Sequence, residues 1–311
     1  MSKQFNKPIN PEKFNLIFLN EEYERIYHHT IKDFQKAVTF EQFREVASSF
    51  NQRNNNYKIE YCLKLQNLIH YVWLDEQKEK AIAVSFDEQD TIHSLYLKPF
   101  TTYRKSDARY TRTSYILPLK GEWFVFWGGT NEFINYHYVY ETQRYAYDFI
   151  QVKDELSYKD TKLQNEDFYA FNQEILAPAN GEVVKIIDGI KDNIPGEMNT
   201  AYPAGNYVVI KHRFREYSML AHLRQNSIKV KEGDHVKEGQ CVGYCGNSGN
   251  SSEPHLHFQI MNTPDFNEGK SIRIRFKGIE EPVQGDFVSN AKMSKEGMLP
   301  RIPQLIKKLF K

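Results

Sequence analysis

The 311-residue chain reads as an α+β protein. Helical periodicity runs through residues 21–50, short alternating segments rich in β-branched residues follow, and Gly-Asp and Gly-Asn turns separate those segments. Length alone supports about two domains of roughly 150 residues each. The expected organisation is a helix-plus-antiparallel-sheet domain over residues 1–105, a mainly antiparallel β-sandwich domain over 106–290, and a tail over 291–311.

In the first domain, EEYERIYHHTIKDFQKAV and TFEQFREVASSF carry the helical pattern. Thr39 and Gln42 have the spacing of a capping box, in which each side chain satisfies a backbone N–H of the other residue. Phe40, Phe43, Val46, Ala47 and Phe50 then recur at helical spacing, as a buried face should. Strands are expected in NYKIEYCLKL, HYVWL, KAIAVSF and TIHSLYL. Helices followed by such a sheet are similar to the small cone-shaped domains of the nuclear transport factor type. His28 and His29 are helix neighbours facing different directions, which argues against a shared metal.

In the second domain, EVVKIID, NYVVIKH, SIKVKEG and CVGYCG read as short strands. VKEGDHVKEGQ also resembles the hairpins of lipoyl and biotinyl carriers, but the turn that follows, CGNSG, lacks the modifiable Lys those carriers present. GNSGNSSEP favours a tight turn, with Gly246 and Gly249 able to take positive φ cheaply and Pro254 fixing the approach to the next strand. Gly189 to Asn206 is long for a hairpin connection and reads as the wall of a binding groove, the alternative being a mobile surface excursion.

That next strand, HLHFQIM, contains the most informative pair. His255 and His257 are two residues apart, and at a rise of roughly 3.3 Å per residue both imidazoles share one face of a strand. Two polar rings side by side are costly to bury without a purpose. Imidazole is a preferred zinc ligand, and a catalytic zinc takes three protein ligands and keeps a fourth position for water. Spacing leaves open whether both rings bind one ion or one of them works on water. Further partners are available in His137 and Asp148, which flank YVYETQRYAY, and in His222 of YSMLAHL. A lone strand histidine such as His212 is ordinarily a hydrogen-bonded core or surface residue. No HExxH is present, so a helical zinc site with a Glu base is excluded.

The ordered set His137, Asp148, His222 and His255-Leu256-His257 resembles the lysostaphin/LytM-type zinc endopeptidases of peptidoglycan. The resemblance extends through QRYAYDF (Gln143 to Phe149), LAPANGEVVKI, GNYVVIKH, AHL, VKEGDHVKEGQCVGYCGNSG and PHLHF. Family members often place the first histidine three or four residues before the aspartate; here ten residues intervene, a spacing shared with a QRYAYDF-containing branch. The resemblance implies that His137, Asp148 and His257 hold one Zn²⁺ per chain, and that His222 and His255 stay off the metal as catalytic residues contacting water or the developing oxyanion. It further implies hydrolysis of a peptide bond in stem or cross-bridge peptides, and an extracellular or cell-envelope location. The rival readings are a catalytically silent wall-binding or activator protein on the same scaffold, and a zinc hydrolase of another small amide.

Composition narrows the partners. Net charge is +1, which leaves no electrostatic footprint for nucleic acid, and the 20 Tyr and 21 Phe suit core packing and tyrosine-lined surfaces. Three cysteines make no disulfide framework. Cys241 and Cys245 on one continuous strand would lie about 13 Å apart, where a disulfide needs about 7 Å or less between Cα atoms, so all three read as small buried apolar residues. The opening residues show no evident secretory signal and no stretch is long and apolar enough to span a membrane. With a wall substrate, that leaves a removed leader, release by phage or lysis, or an unusual export route. The tail PRIPQLIKKLFK has the pattern of a basic amphipathic helix, which packs on the protein or makes weak contact with a membrane surface. The first domain is expected either to dock substrate or to act as a scaffold.

Overall fold

The structure is a computed structural model and describes residues 7–51, 56–65 and 67–290. The chain divides into two compact units, one running through Thr101 and one beginning at Thr102.

The first unit opens with helices α1 (Phe14–Leu19), α2 (Tyr23–His28), α3 (Lys32–Ala37) and α4 (Phe40–Phe50). The single helix expected across residues 21–38 is broken. Thr30 pairs with Ile92 as an isolated bridge, Ile31 N donates to Ile92 O and Ile92 N to His29 O, so the β-branched pair Thr30-Ile31 is drawn into sheet bonding against its helical surroundings. The capping box is present at α4: Gln42 N donates to Thr39 Oγ1 at 3.3 Å and Thr39 N to Gln42 Oε1 at 2.9 Å. On the α4 face Phe43 and Ala47 are buried and Phe40 and Phe50 half-buried, but Val46 is 56% exposed because it stands at the edge of the stripe. Strands β1 (Tyr57–Leu65), β2 (Leu68–Asp75), β3 (Lys80–Phe86) and β4 (Ile92–Pro99) form an antiparallel sheet in chain order. Alternate residues Tyr71 and Trp73, and Ile82, Val84 and Phe86, meet the helices in one aromatic core, with the Phe14 ring 5.6 Å from Trp73 and 5.9 Å from Phe86.

The second unit comprises helix α5 (Arg104–Asp107) and strands β5 (Tyr110–Tyr115), β6 (Trp123–Trp127), β7 (Tyr147–Ile150), β8 (Glu174–Leu176), β9 (Gly181–Ile187), β10 (Asn206–Lys211), β11 (Tyr217–Leu223), β12 (His235–Val236), β13 (Cys241–Tyr244), β14 (Leu256–Met261), β15 (Arg273–Phe276) and β16 (Phe287–Val288). Eight of them build one sheet in the order β12-β9-β10-β11-β14-β7-β6-β16, antiparallel throughout. The pairs β13-β8, antiparallel, and β15-β5, parallel, make two smaller sheets. The expected strand over Ser227–Gly233 does not form. Only single bonds such as Lys229 N to Val242 O tie it down, and the local strand is the two-residue β12.

Period-two alternation sorts the central strands into two faces. Leu256, Phe258 and Ile260 of β14 join Val208, Ile210, Leu220 and Phe149 in the main core, which also takes in Ile175, Val242 and Ile274 of the smaller sheets. On the opposite face Tyr207, Val209, Met219, Ala221 and Met261 make a smaller cluster. All three cysteines are free. Cys245 is buried beyond the end of β13, and Cys62 and Cys241 are only half-buried, in contrast to the full burial expected. Among the described residues no helix is long and apolar enough to cross a membrane. The 291–311 tail lies outside the described residues.

Candidate metal centre

The site grows on the face of the large sheet opposite the main core. Asp148 of β7 and His257 of β14 occupy directly paired positions, and Ala221 of β11 is paired with His257 on its other side. His257 Nδ1 lies 2.9 Å from Asp148 Oδ1. Its other nitrogen, Nε2, donates to Gln259 Oε1 at 2.9 Å, and the Gln259 amide is oriented by donating to Thr142 O at 3.0 Å.

His137 arrives from a single 3-10 turn, Tyr136–Val139. Its Nε2 faces Asp148 Oδ2 at 3.5 Å and its ring centroid is 4.9 Å from that of His257. One donor atom from each of His137, Asp148 and His257 falls within 4.8 Å of the other two, and all three residues are buried. His137 Nε2 is also buried without a hydrogen-bond partner. A buried imidazole lone pair with no proton donor, beside a carboxylate and a second imidazole, is the chemistry of a site for a transition-metal dication.

The remaining two histidines border this group. His255 stands just before β14, its Nδ1 donating to Glu253 O at 2.8 Å and its Nε2 3.9 Å from Asp148 Oδ1. His222 donates from Nδ1 to Ser248 O at 2.8 Å, and its ring centroid lies 4.6 Å from His255 and 5.8 Å from His257. Both rings therefore have Nδ1 committed to a backbone carbonyl and Nε2 left for chemistry.

Strand parity alone would send His222 into the main core beside Leu220. It does not go there because β11 carries one extra residue against β10: Asn206 pairs with Leu223 and Val208 with Leu220. His222 takes the left-handed conformation at φ 61°, and Leu223 enters the core instead. Bulges of this kind re-aim side chains at functional sites.

The electrostatics are those of a buried carboxylate among imidazoles. Burial by itself pushes the Asp148 carboxyl up, but His137, then His255 and the hydrogen bond from His257, outweigh it and hold the group well below the usual carboxylate range. Burial pulls His137 down to about 3 and holds His222 well below its ordinary value, so both rings stay neutral near pH 7. At His257 burial also acts downward, but the Asp148 hydrogen bond and charge, with Gln259, carry it above the ordinary value.

Residues 165–272 match peptidase family M23. Over these residues the chain is similar to M23 peptidases. That match contains His222, His255 and His257, whereas His137 and Asp148 precede it and join the site through the fold. The chain is 29% identical over 103 residues to the peptidoglycan DD-endopeptidase ShyC of Vibrio cholerae, covering 33% of this chain and 23% of that protein. It is 43% identical over 58 residues to ShyA of the same organism, covering 19% and 13%, and 39% identical over 82 residues to lysostaphin of Staphylococcus staphylolyticus, covering 26% and 16%. The chain thus spans about a quarter or less of the length of these relatives.

Two loops within the matched residues are zipped together beside His222. Asn193 N donates to Asn247 O, Gly196 N to Ser252 O, Asn199 N to Gly249 O and Asn250 N to Pro203 O, so residues 189–206 are anchored along the GNSGNSSEP turn. Ile194, Met198 and Tyr202 remain exposed on that loop. Gly249 has the expected positive φ of 86°. Gly246 does not; glycine is required there because a Cβ would collide with the backbone of Arg224. Sequence reasoning missed Asn135 and Gln259, which hold the outer nitrogens of His137 and His257, and Tyr136, whose ring lies 3.9 Å centroid to centroid from His137. The available signal was an amide two residues from each metal-site histidine, in NYH and in HFQ.

Proposed function

We propose that the second unit is a zinc-dependent endopeptidase that hydrolyses peptide bonds of peptidoglycan stem or cross-bridge peptides. The observation that carries this reading is the convergence of His137 Nε2, Asp148 and His257 Nδ1, with two further imidazoles presenting Nε2 at their edge. The similarity to ShyC and ShyA, both named as peptidoglycan DD-endopeptidases, supports the substrate class.

His137, Asp148 and His257 would hold the ion, one per chain. Zinc so held supplies a Lewis acid for the scissile carbonyl and lowers the pKa of water to about 7. The protein's own share is proton handling. His222, kept neutral by burial, offers an Nε2 lone pair that accepts a proton from the attacking water, and the Ser248 carbonyl bonded to Nδ1 keeps the ring in the tautomer that allows it. His255, steered by Glu253 O, places Nε2 where it can hydrogen-bond the oxygen on which negative charge develops. The 189–206 loop forms a groove wall whose exposed Ile194, Met198 and Tyr202 contact the peptide. A peptidoglycan substrate sets the working location at the cell envelope or outside it.

The test is digestion of muropeptides followed by mass spectrometry, with zinc removed and restored, comparing wild type, His255→Ala and Asp148→Ala. Zinc-dependent appearance of cleaved peptides in wild type alone is expected. Cleavage surviving either substitution would remove the role assigned to that residue, and wall binding without any cleavage would favour a silent scaffold.

A further inference from the structure

Asp148 and His257 are brought together by strand pairing, but nothing comparable acts on His137. Ten residues separate it from Asp148, and it sits on a turn outside the sheet. We propose that Asn135 is the positioning residue that makes His137 a metal ligand, both by closing this loop and by choosing the tautomer of the ring. The proposal rests on the zinc reading above.

Both ends of the Asn135 amide are used, and the residue is fully buried. Its Nδ2 reaches the carbonyls of Gly129 at 3.1 Å, Ala146 at 3.1 Å and Arg144 at 3.4 Å. Gly129 belongs to the segment leaving β6, whereas Ala146 lies two residues before Asp148, so one side chain ties the start of the loop to its end. Three carbonyls around one end identify that end as the NH₂, and the opposite end must be the oxygen. This oxygen accepts from His137 N at 3.2 Å and lies 2.9 Å from His137 Nδ1.

An amide oxygen cannot donate, so Nδ1 must carry the ring proton. The other tautomer would set two lone pairs against each other at 2.9 Å in a dry environment, the arrangement a buried site tolerates least. With the proton on Nδ1, the lone pair is on Nε2, the atom that faces Asp148 and has no hydrogen-bond partner. A partner behind the ligating ring commonly sets its orientation in metal sites. Here Asn135 does more, because the same amide ties the loop that carries His137 to the segment leaving β6 and to the chain just before Asp148.

The experiment uses the full chain labelled with ¹⁵N histidine, measured metal-free by NMR, together with zinc affinity by chelator competition for wild type and Asn135→Ala. The His137 ring should be protonated at Nδ1 in wild type. Asn135→Ala should bind zinc about 10–100-fold more weakly and show a shifted tautomer balance, with the visible spectrum of its Co²⁺ form altered. Protonation of His137 at Nε2 in metal-free wild type overturns the proposal, and this result needs no variant to fold. Zinc affinity within about twofold of wild type in a folded Asn135→Ala also overturns it and leaves the hydrolase reading standing. A wild type without zinc affinity overturns both.

Discussion

Asp148 Oδ1 and His257 Nδ1 lie 2.9 Å apart on paired residues of β7 and β14, so the carboxylate meets the same ring nitrogen that a metal would use. In the metal-free protein this contact favours a proton on Nδ1 and lifts the His257 pKa above its ordinary value. Zinc bound as proposed would have to displace that proton. Affinity should therefore rise with pH while His257 is protonated in the free protein, by up to about tenfold per unit for one released proton, and level off above its pKa. Titration calorimetry in buffers of different ionisation enthalpy counts the protons; binding that neither releases a proton nor weakens as pH falls would contradict the contact as described.

His222 holds a left-handed backbone inside β11, at φ 61°. A β-branched residue tolerates that conformation poorly and glycine tolerates it freely, a difference of about 1–2 kcal/mol. His222→Gly should consequently melt above His222→Val. Both variants should keep zinc, since His222 is outside the ligand group, and both should lose turnover by about 10²–10⁴-fold. Loss of zinc along with activity would reassign His222 from proton handling to ligation.

Gly205 has φ 59°, and a Cβ there would run into the carbonyl and side chain of Ser248. The Ser248 carbonyl is the group that receives His222 Nδ1–H. Gly205→Ala should cost about 1–2 kcal/mol from the backbone alone and lower kcat by displacing Ser248, with less effect on zinc affinity. Thermal melts and steady-state rates on one muropeptide check both parts. An unchanged kcat would detach Ser248 from control of the ring.

His212 is buried and bonded at both nitrogens, donating from Nδ1 to Asn180 O and accepting at Nε2 from Ser218 Oγ. Burial holds its pKa below the ordinary value. A depressed histidine pKa means that the unfolded chain binds the proton more readily, so the stabilisation is fully present above the unfolded pKa of about 6.5 and is lost as pH falls through the folded pKa. His212→Gln, which has no such proton, should melt below wild type at pH 7.5, and the gap should narrow towards pH 5. A gap that widens on acidification would refute a neutral His212.

Much of the centre was legible because strand parity and pairing are simple rules. In HLHFQIM alternation puts His257 on the face away from Leu256 and Phe258, and the short strand that contains Asp148 pairs with it. His222 was legible as a residue but not in its direction, since parity assigns it to the core and only the extra residue in β11 turns it out. Asn135 and Gln259 could not be read because a buried amide has no periodic signature; its meaning lies in which carbonyls surround it. The break at Thr30 and the unpaired Ser227–Gly233 segment share one cause, the availability of strand partners, which local composition does not encode.

His257 and Gln259 of β14 face the candidate centre, whereas Leu256, Phe258 and Ile260 between and beside them pack into the main core. Residues on the site-facing side of such a strand can be exchanged with little disturbance to the hydrophobic layer behind them. If the second unit acts as proposed, a lineage built on this scaffold can abandon catalysis through one or two substitutions and still inherit a well-folded surface for recognising the same polymer.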